Sequence, residues 1–567
     1  MNLLPTGAQA LLATLVELGV DTVFGYPGGA VLPLYDALFE EPCIRHILVR
    51  HEQAAVHAAQ GYARSTGRIG VVLVTSGPGM SNTTTGLLDA KSDSVPILCI
   101  SGQVALPAIG TDAFQECDAI GISRPVTKWN AQVRDAADIA NLVREAHSIA
   151  TGERPGPVLI DVPKDLQQQR VAQRRPGPAE PQARLAVDLA STRRIADAIA
   201  SARRPVFYGG GGLVNSGPEA CRLFSRAVTL TQAPCTLTLM GLGAFPAGAP
   251  QWLGMLGMHG TLEANLAMHE ADLIVCVGAR FDDRVTGRLD AFAPSARIVH
   301  LDIDPRSIGK VVSTELSQVG DAAVLLDALV SELETRSLPA ERLADWWRRI
   351  GSWREQRSLA FDDTAEHIAP QALMRQLDAR LRGRDAIVST DVGQHQMWAA
   401  QFLGFDSPRR WLTSGGAGTM GYGLPAAIGA QIAHPERTVV CVSGDASVLM
   451  NIQELATACQ HRTPVKLVLC NNGHMGMVRQ WQQLIHGERY SHSYNASMPD
   501  FTALARAFGW QAERVDVRAD LDAALDRCLA STEPYFLDVR VRATENCFPM
   551  IPAGAGHHEV LLRQEPR

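Results

Sequence analysis

The 567-residue chain carries 52 Lys and Arg against 59 Asp and Glu, a formal net charge of −7, with 46% hydrophobic and 20% charged residues. That length is too great for one core and predicts three or four globular domains. The acidic balance and the lack of a basic stripe with interleaved aromatics exclude a nucleic-acid surface.

The eleven scattered cysteines contain no C-x-x-C pair and so read as reduced thiols, which makes the cytoplasm the expected location. The first stretch, "MNLLPTGAQALLATLVELGV", has no basic n-region and carries Glu17; it predicts an amphipathic helix ending at Gly19, not a signal peptide. No apolar run reaches the length of a membrane span.

Further along, short β-branched apolar runs alternate with helical patterns, the mark of parallel α/β sheets. Gly70–Gly79, Val95–Gln103 and Pro157–Asp165 predict strands of a first block, followed by a Gln-, Arg- and Pro-rich linker over Leu166–Arg184. Pro205–Gly212, Ala271–Phe281 and Ala296–Asp304 predict a second block. A charged helical stretch over Ala340–Asp363 then leads to a third, with strands in Asp385–Gln394, in "VVCVSGD" and "KLVLCNN", and in Pro534–Val541. The expectation is three doubly wound parallel-sheet domains, 1–168, 188–335 and 360–545, with a C-terminal tail over 546–567.

The segment Val439–Gly476 is the most informative. It reads as strand, Gly-Asp turn, helix, strand and two asparagines, with Asp445 and Asn472 27 positions apart. That is one strand–helix–strand crossover, which brings both residues to one carboxyl edge, where open α/β sheets bind ligands. Oxygen ligands there suit Mg²⁺ completed by phosphate. Taken singly, Asp445 is as well explained as a helix cap and Asn472 as a turn residue.

Together with "NIQEL" between them, the two residues resemble the Mg²⁺-diphosphate site of the thiamine diphosphate fold. The resemblance implies metal ligation by Asp445, Asn472 and the backbone of His474, with a helix starting near Ala446 presenting its N-terminus to the diphosphate. Many such enzymes read Gly-Asp-Gly, and Ala446 departs from that. A thiamine enzyme also needs a carboxyl beside the aminopyrimidine. Glu52, in "VRHEQAAVHAAQGYARSTG", opens a helix of small apolar residues and resembles that glutamate; an isolated Glu in a first helical turn would need no such role.

"GYPGGAVLPLYDAL", "TSGPGMSN", "GTDAFQECD", "RPGPVLIDVPKD", "LGMHG", "GARFDDRVTG", "SGGAGTMGYGLPAAIGA", "MVRQWQ" and "PMIPAGAGHHE" together resemble the catalytic subunits of the acetohydroxyacid (acetolactate) synthase family, from about Leu12 to Gly556. The resemblance implies decarboxylation of pyruvate and transfer of its two-carbon remainder to pyruvate, giving 2-acetolactate, or to 2-ketobutyrate, giving 2-aceto-2-hydroxybutyrate, in valine, leucine and isoleucine biosynthesis. Pyruvate oxidase, pyruvate decarboxylase and a non-catalytic nucleotide-binding protein are the competing readings.

Glu52, Gln115 and Met420 are the implied catalytic residues, with Met420 beneath the bent cofactor; an ordinary core methionine is its plainer reading. Phe114, Lys164, Arg284 and Trp481 are implied at the substrates, Arg284 gripping the second 2-ketoacid and Trp481 favouring 2-ketobutyrate. The plainer readings are an Arg284 ion pair with Asp282 or Asp283 and a packing tryptophan. The cofactor-binding residues implied are Gly28, Gly29, Pro78, Asn82, Gln394, His395, Gly418, Gly444, Ala446, Ser447, Met475, Gly476 and Met477, together with Arg154, Gly210, Gly211, Met240, His259, Gly278, Arg280, Asp302, Asp304 and Asp321.

"YGGGG" lacks the G-x-G-x-x-G spacing of a dehydrogenase. The resemblance instead implies FAD, largely structural, across "TLMGLG", "LGMHG", "GARFD", "DIDP" and Gly320–Ala322. It also implies a homodimer or homotetramer with active sites between subunits, and a small regulatory subunit.

Overall fold

A computed structural model describes residues 4–174 and 186–563. The parts of the expected linker and tail at 175–184 and 564–567, and the first three residues, lie outside the described residues. Three six-stranded sheets follow one another along the chain, and every paired strand within them is parallel.

The first sheet contains β1 (Thr22–Tyr26), β2 (Arg45–Leu48), β3 (Gly70–Val74), β4 (Ile97–Gln103), β5 (Trp129–Gln132) and β6 (Pro157–Pro163), ordered β2-β1-β3-β4-β6-β5. The second contains β7 (Pro205–Gly209), β8 (Cys235–Leu237), β9 (Trp252–Met255), β10 (Leu273–Val277), β11 (Arg297–Asp302) and β12 (Leu316–Val319), ordered β12-β11-β10-β7-β8-β9. The third contains β13 (Ala386–Thr390), β14 (Trp411–Leu412), β15 (Thr438–Gly444), β16 (Lys466–Asn471), β17 (Gln511–Val515) and β18 (Tyr535–Arg540), ordered β14-β13-β15-β16-β18-β17.

Alternation along the strands sends side chains to different cores. In the third sheet Val439, Cys441, Leu467 and Leu469 join a core shared with the first unit through Phe24, Val72 and Cys99. Val440, Val442, Val468 and Cys470 face the other way, into a core continuous with the central unit. Helices Glu52–Thr66 and Gly423–Ala433 pack directly on each other between the first and third sheets. A separate core behind the first sheet gathers Leu11, Leu15, Val71, Ile100 and Val143.

The N-terminal helix runs Gly7–Glu17, closed at its start by a reciprocal Thr6–Gln9 capping box, and Gly19 takes the positive φ that ends it. Two sequence expectations need correction. The charged stretch Ala340–Asp363 is helical only from a 3₁₀ turn at Ala340–Leu343 through Ala344–Arg354. Beyond it the buried anchors Trp346, Ile350 and Trp353 have no successor to continue the face.

The crossover after β15 is not one helix. It is a four-residue turn Asp445–Val448, a 3₁₀ segment Leu449–Glu454 and a short helix Leu455–Gln460. Asn451 breaks it at φ −136°, ψ 31°, where its side-chain amide donates to Gly421 O at 2.7 Å. The helix expected to start near Ala446 is therefore a single turn, Asp445–Val448.

All eleven cysteines are free. No helix among the described residues is long and apolar enough to cross a membrane.

Candidate active site

The third sheet places Asp445 and Asn472 on one edge. Gly444 at the end of β15 pairs with Cys470 of β16, and the two polar residues follow within two positions. Asp445 is 1% exposed, and its Oδ2 has no hydrogen-bond partner among the described residues. Burial pushes its carboxyl up to about 6. Asn472 Oδ1 accepts from His474 N at 3.0 Å, and its amide reaches Gln394 Oε1 at 3.4 Å. The His474 ring donates from Nδ1 to Asn472 O at 2.8 Å, which folds the Asn-Gly-His turn onto itself.

Gln394 donates to Gln480 Oε1 at 2.8 Å and to Glu545 O at 2.9 Å. His395 is buried against Gly444 with Nε2 unpartnered among the described residues, and burial pushes it down to about 3, so the ring is neutral. Ala446 and Ser447 lie in the turn opened by Asp445, while Met475, Gly476 and Met477 begin the helix Gly476–Leu484 or precede it by one residue. Gly418 and the half-buried Met420 lie in the loop before helix Gly423–Ala433.

On the first sheet the expected residues also gather at the carboxyl ends. Gly28 and Gly29 follow β1, Glu52 follows β2, Pro78 and Asn82 follow β3, and Lys164 follows β6. Glu52 is the first residue of its helix, behind the His51 cap, and its Oε2 accepts from Asn82 Nδ2 at 2.9 Å. Gln115 has φ 61°, an uncommon conformation for a residue with a side chain, and its backbone lies over Gly77. Phe114 beside it is 88% exposed. No hydrogen bond among the described residues joins Glu52 or Asn82 to Asp445, Asn472, Gln394 or His395.

The central sheet repeats the pattern. Gly210 and Gly211 follow β7, Met240 follows β8, His259 follows β9, Gly278 and Arg280 follow β10, Asp302 ends β11 and Asp304 follows it, and Asp321 follows β12. Gly210 must be glycine, since a Cβ there would meet Gly278 O at 2.2 Å. Asp321 accepts from Ser216 Oγ at 2.9 and 3.0 Å and caps helix Ala322–Glu334. This edge faces the first unit: Arg280 Nη1 donates to Ser92 O at 2.8 Å, and Arg154 spans Ser94 Oγ at 2.8 Å and Asp304 Oδ2 at 3.4 Å. A cavity of about 160 Å³ between the central and third units includes His259 in its lining but none of the other expected residues.

Arg284 is two-thirds exposed and lies 3.5 Å from Asp283, the ion pair given above as its plainer reading. The half-buried Trp481 sits on a helix whose Arg479 and Gln480 are bonded to Glu545, Asn546 and Cys547. The chain beyond returns to the central unit, where Ile551 N donates to Met258 O at 2.8 Å and Arg288 N to Ala555 O at 3.1 Å. "LGMHG", "FDDRVTG", "MVRQWQ" and "PMIPAGAGHHE" thus meet in one region.

Sequence reasoning passed over Asp391, directly after β13. Its carboxylate accepts from Val392 N at 3.0 Å, Gly421 N at 2.8 Å and Ser443 Oγ at 3.2 Å, and burial pushes it up to about 6. The signal was available: an acid ending the apolar run "AIVST", as Asp445 ends its own.

Family models for the thiamine pyrophosphate enzyme N-terminal TPP binding domain, central domain and C-terminal TPP binding domain match residues 5–122, 192–329 and 391–539. The acetolactate synthase isozyme 3 large subunit of Escherichia coli K12 is 46% identical over 99% of each chain. The acetolactate synthase large subunit of Parasynechococcus marenigrum is 48% identical over 98% of this chain and 91% of its own, and that of Haemophilus influenzae 46% over 98% of both. The chain belongs to the acetolactate synthase large-subunit family of thiamine diphosphate enzymes. Within that family the three sheets correspond, in chain order, to the N-terminal, central and C-terminal domains of the matching models.

Proposed function

We propose that the protein is the catalytic chain of an acetolactate synthase, joining the two-carbon remainder of pyruvate to a second pyruvate or to 2-ketobutyrate in branched-chain amino acid biosynthesis. The observation that carries the reading is that one chain, similar to synthase large subunits over nearly its whole length, has both Glu52, held by Asn82 at a helix start, and the Asp445–Asn472 strand edge.

The residues fit the cofactors. The buried Asp445 oxygen, unpartnered among the described residues, is a donor in want of a cation, and Asn472 and the His474 backbone follow the end of the neighbouring strand on the same edge. Asp445, Asn472 and His474 would hold Mg²⁺, with Gln394 and His395 close by. The glycine cradle at Gly210 and Gly278, flanked by Arg280 and Asp302, suits FAD, whose role is structural because the net reaction involves no oxidation. Thiamine diphosphate, when bound, supplies the nucleophilic carbon and electron sink that let a 2-ketoacid lose CO₂.

Glu52, oriented by the Asn82 amide, would hydrogen-bond the aminopyrimidine and hold the proton exchanged there. Met420 would support the bound cofactor, and Gln115 and Phe114 would face the reacting carbon. Arg284 turns from Asp283 to the carboxylate of the second ketoacid, a bidentate grip. Trp481 supplies an apolar wall that rewards one extra methylene. Exclusion of water protects the transferred fragment from protonation.

The active site lies between subunits of a dimer or tetramer. Exposed apolar side chains next to the site residues support this: Phe114 at 88%, Met450 at 54% and Val478 at 47%. A small regulatory subunit and a cytoplasmic location complete the reading.

Product analysis with pyruvate, thiamine diphosphate, Mg²⁺ and FAD, with and without equimolar 2-ketobutyrate, is the test. Acetohydroxyacids as the main products support it, with 2-aceto-2-hydroxybutyrate dominant in the mixture. Acetaldehyde or acetate alone would point to a decarboxylase or an oxidase.

A further inference from the structure

The loop Thr413–Tyr422 carries Gly418 and Met420 into helix Gly423–Ala433, and four of its residues are glycines with no side chains to fix its path. Polar groups of the first unit fix it instead. Asp93 Oδ2 accepts from Gly415 N at 2.9 Å and Asp93 Oδ1 from Gly416 N at 2.7 Å. Asp89 Oδ1 accepts from Ser414 Oγ and, at 2.9 Å, from Thr419 Oγ1, while Ser414 Oγ also accepts from Thr419 N at 2.8 Å. Arg64 closes the set, donating to Asp93 Oδ2 at 2.9 Å and to Thr413 O. At the far end Gly421 is tied to Asp391 and Asn451. Met420 therefore lies between two anchored residues, Thr419 and Gly421.

This cluster is a poor way to hold two units together. The Asp89 and Asp93 side chains are fully buried, a single guanidinium serves two carboxylates, and Asp89 Oδ2 has no partner among the described residues. Burial pushes both carboxyls upward, with Arg64 opposing. Apolar packing of similar volume would join the units at lower cost. What the carboxylates provide, and apolar groups cannot, is directed acceptors for the N–H and O–H groups of a glycine-rich loop.

We propose that Asp93, with Asp89 and Arg64, is a positioning residue that sets the height of Met420 at the cofactor; this rests on the reading of Met420 given above. In Asp93→Asn an NH₂ group replaces one of the two acceptors that face Gly415 N, Gly416 N and Arg64.

Amide hydrogen exchange in the cofactor-free protein reads the loop directly. Exchange over residues 413–421 should accelerate about tenfold or more in Asp93→Asn, the equivalent of one lost charge-assisted hydrogen bond. With cofactors added, kcat for pyruvate consumption should fall roughly 10- to 100-fold with little change in KM, the scale of a misplacement of about 1 Å. The variant Asp93→Asn/Met420→Ala should be no slower than Met420→Ala alone, since both act through one side chain.

Unchanged exchange, or additive losses in the double variant, overturns the proposal. An active Met420→Ala overturns the reading of Met420 and, with it, the functional half of the proposal, while the exchange result still judges the clamp. If Asp93→Asn does not fold, Thr419→Val, which removes one donor to Asp89, supplies the same comparison.

Discussion

Asp445 and Asn472 leave neighbouring parallel strands on the same edge, each within two residues of the Gly444–Cys470 pairing, and the Asp445 carboxylate is buried with one oxygen unpartnered among the described residues. A carboxylate in that state gains most from a cation. Asp445→Asn should weaken Mg²⁺-dependent cofactor binding by more than the roughly 10- to 100-fold that losing an outer-shell partner costs a metal site. Tryptophan fluorescence titration with thiamine diphosphate at several Mg²⁺ concentrations checks this, and an unchanged titration would remove Asp445 from the metal site.

Glu52 and Asn82 make a different prediction, because in the proposed reading they would act on the cofactor's proton and not on its retention. Glu52→Gln keeps the size and the contact with Asn82 but removes the acid. Turnover should fall about 10²- to 10⁴-fold, the range of a lost general acid–base group, while cofactor affinity stays within a few-fold. Asn82→Ala should have the same character and a smaller size. Equal loss of affinity and turnover in Glu52→Gln would make Glu52 a binding residue only.

The role proposed for Trp481 makes a prediction about specificity. Its replacement by Leu should lower the ratio of 2-aceto-2-hydroxybutyrate to 2-acetolactate formed from mixed ketoacids by about 10-fold or more, as expected for contact with one methylene. Turnover with pyruvate alone should change far less. A ratio unmoved by Trp481→Leu returns this residue to plain packing.

How much of this could be read from the sequence depends on where each strand lies in its sheet. The recognised runs became β3, β4 and β6; β7, β10 and β11; and β13, β15, β16 and β18, which are contiguous interior strands of the three sheets. Buried on both faces, they are continuous apolar runs such as "LIVCV". The overlooked strands flank them. β2, β5, β12 and β17 are partly exposed and mix polar residues, as in "WNAQ" and "QAERV"; β9 is apolar but only four residues long and half-buried at alternate positions, while β8 and β14 are only three and two residues long. β1 is well buried and as long as β3, but it runs into Gly-Tyr-Pro-Gly, which reads as a turn.

The site shows the same divide. Acids that end apolar strands could be found from order alone. Asp89, Asp93 and Glu454 could not, because each lies within or just after a helical segment and its partner is hundreds of residues away.

Glu454 illustrates such a long-range contact and makes the pH prediction. It is buried where the third unit meets the first, accepting from Arg50 N at 3.0 and 3.2 Å and from Thr457 Oγ1 at 2.6 Å, and burial pushes it from 4.5 up to about 7. The folded chain holds this proton more tightly than the unfolded chain. Glu454 therefore favours folding most at low pH, and that contribution is lost as pH rises from 4.5 through about 7, amounting to about 3 kcal/mol in all. Thermal melts of the wild type and Glu454→Gln between pH 5 and 8 should show a shallower decline in the variant. Parallel curves would mean that the carboxyl ionises freely.

The seam beside it depends on two missing side chains. Where helices Glu52–Thr66 and Gly423–Ala433 cross, a Cβ on Gly61 would stand 2.0 Å from Ala426 O and one on Gly429 1.8 Å from Ala58 O. Both contacts are to helix backbone, so no rotamer change relieves them and the axes must separate. Gly429→Ala should destabilise the fold by about 1 to 3 kcal/mol, the usual cost of overpacking, and Gly61→Ala likewise. Because helix Glu52–Thr66 begins at Glu52 and helix Gly423–Ala433 follows directly on the Met420 loop, spreading the seam should also displace both groups. Turnover is therefore expected to fall even at temperatures where circular dichroism shows the variants fully folded. Full activity in a destabilised but folded Gly429→Ala would show that the seam holds the units together without setting the geometry of the site.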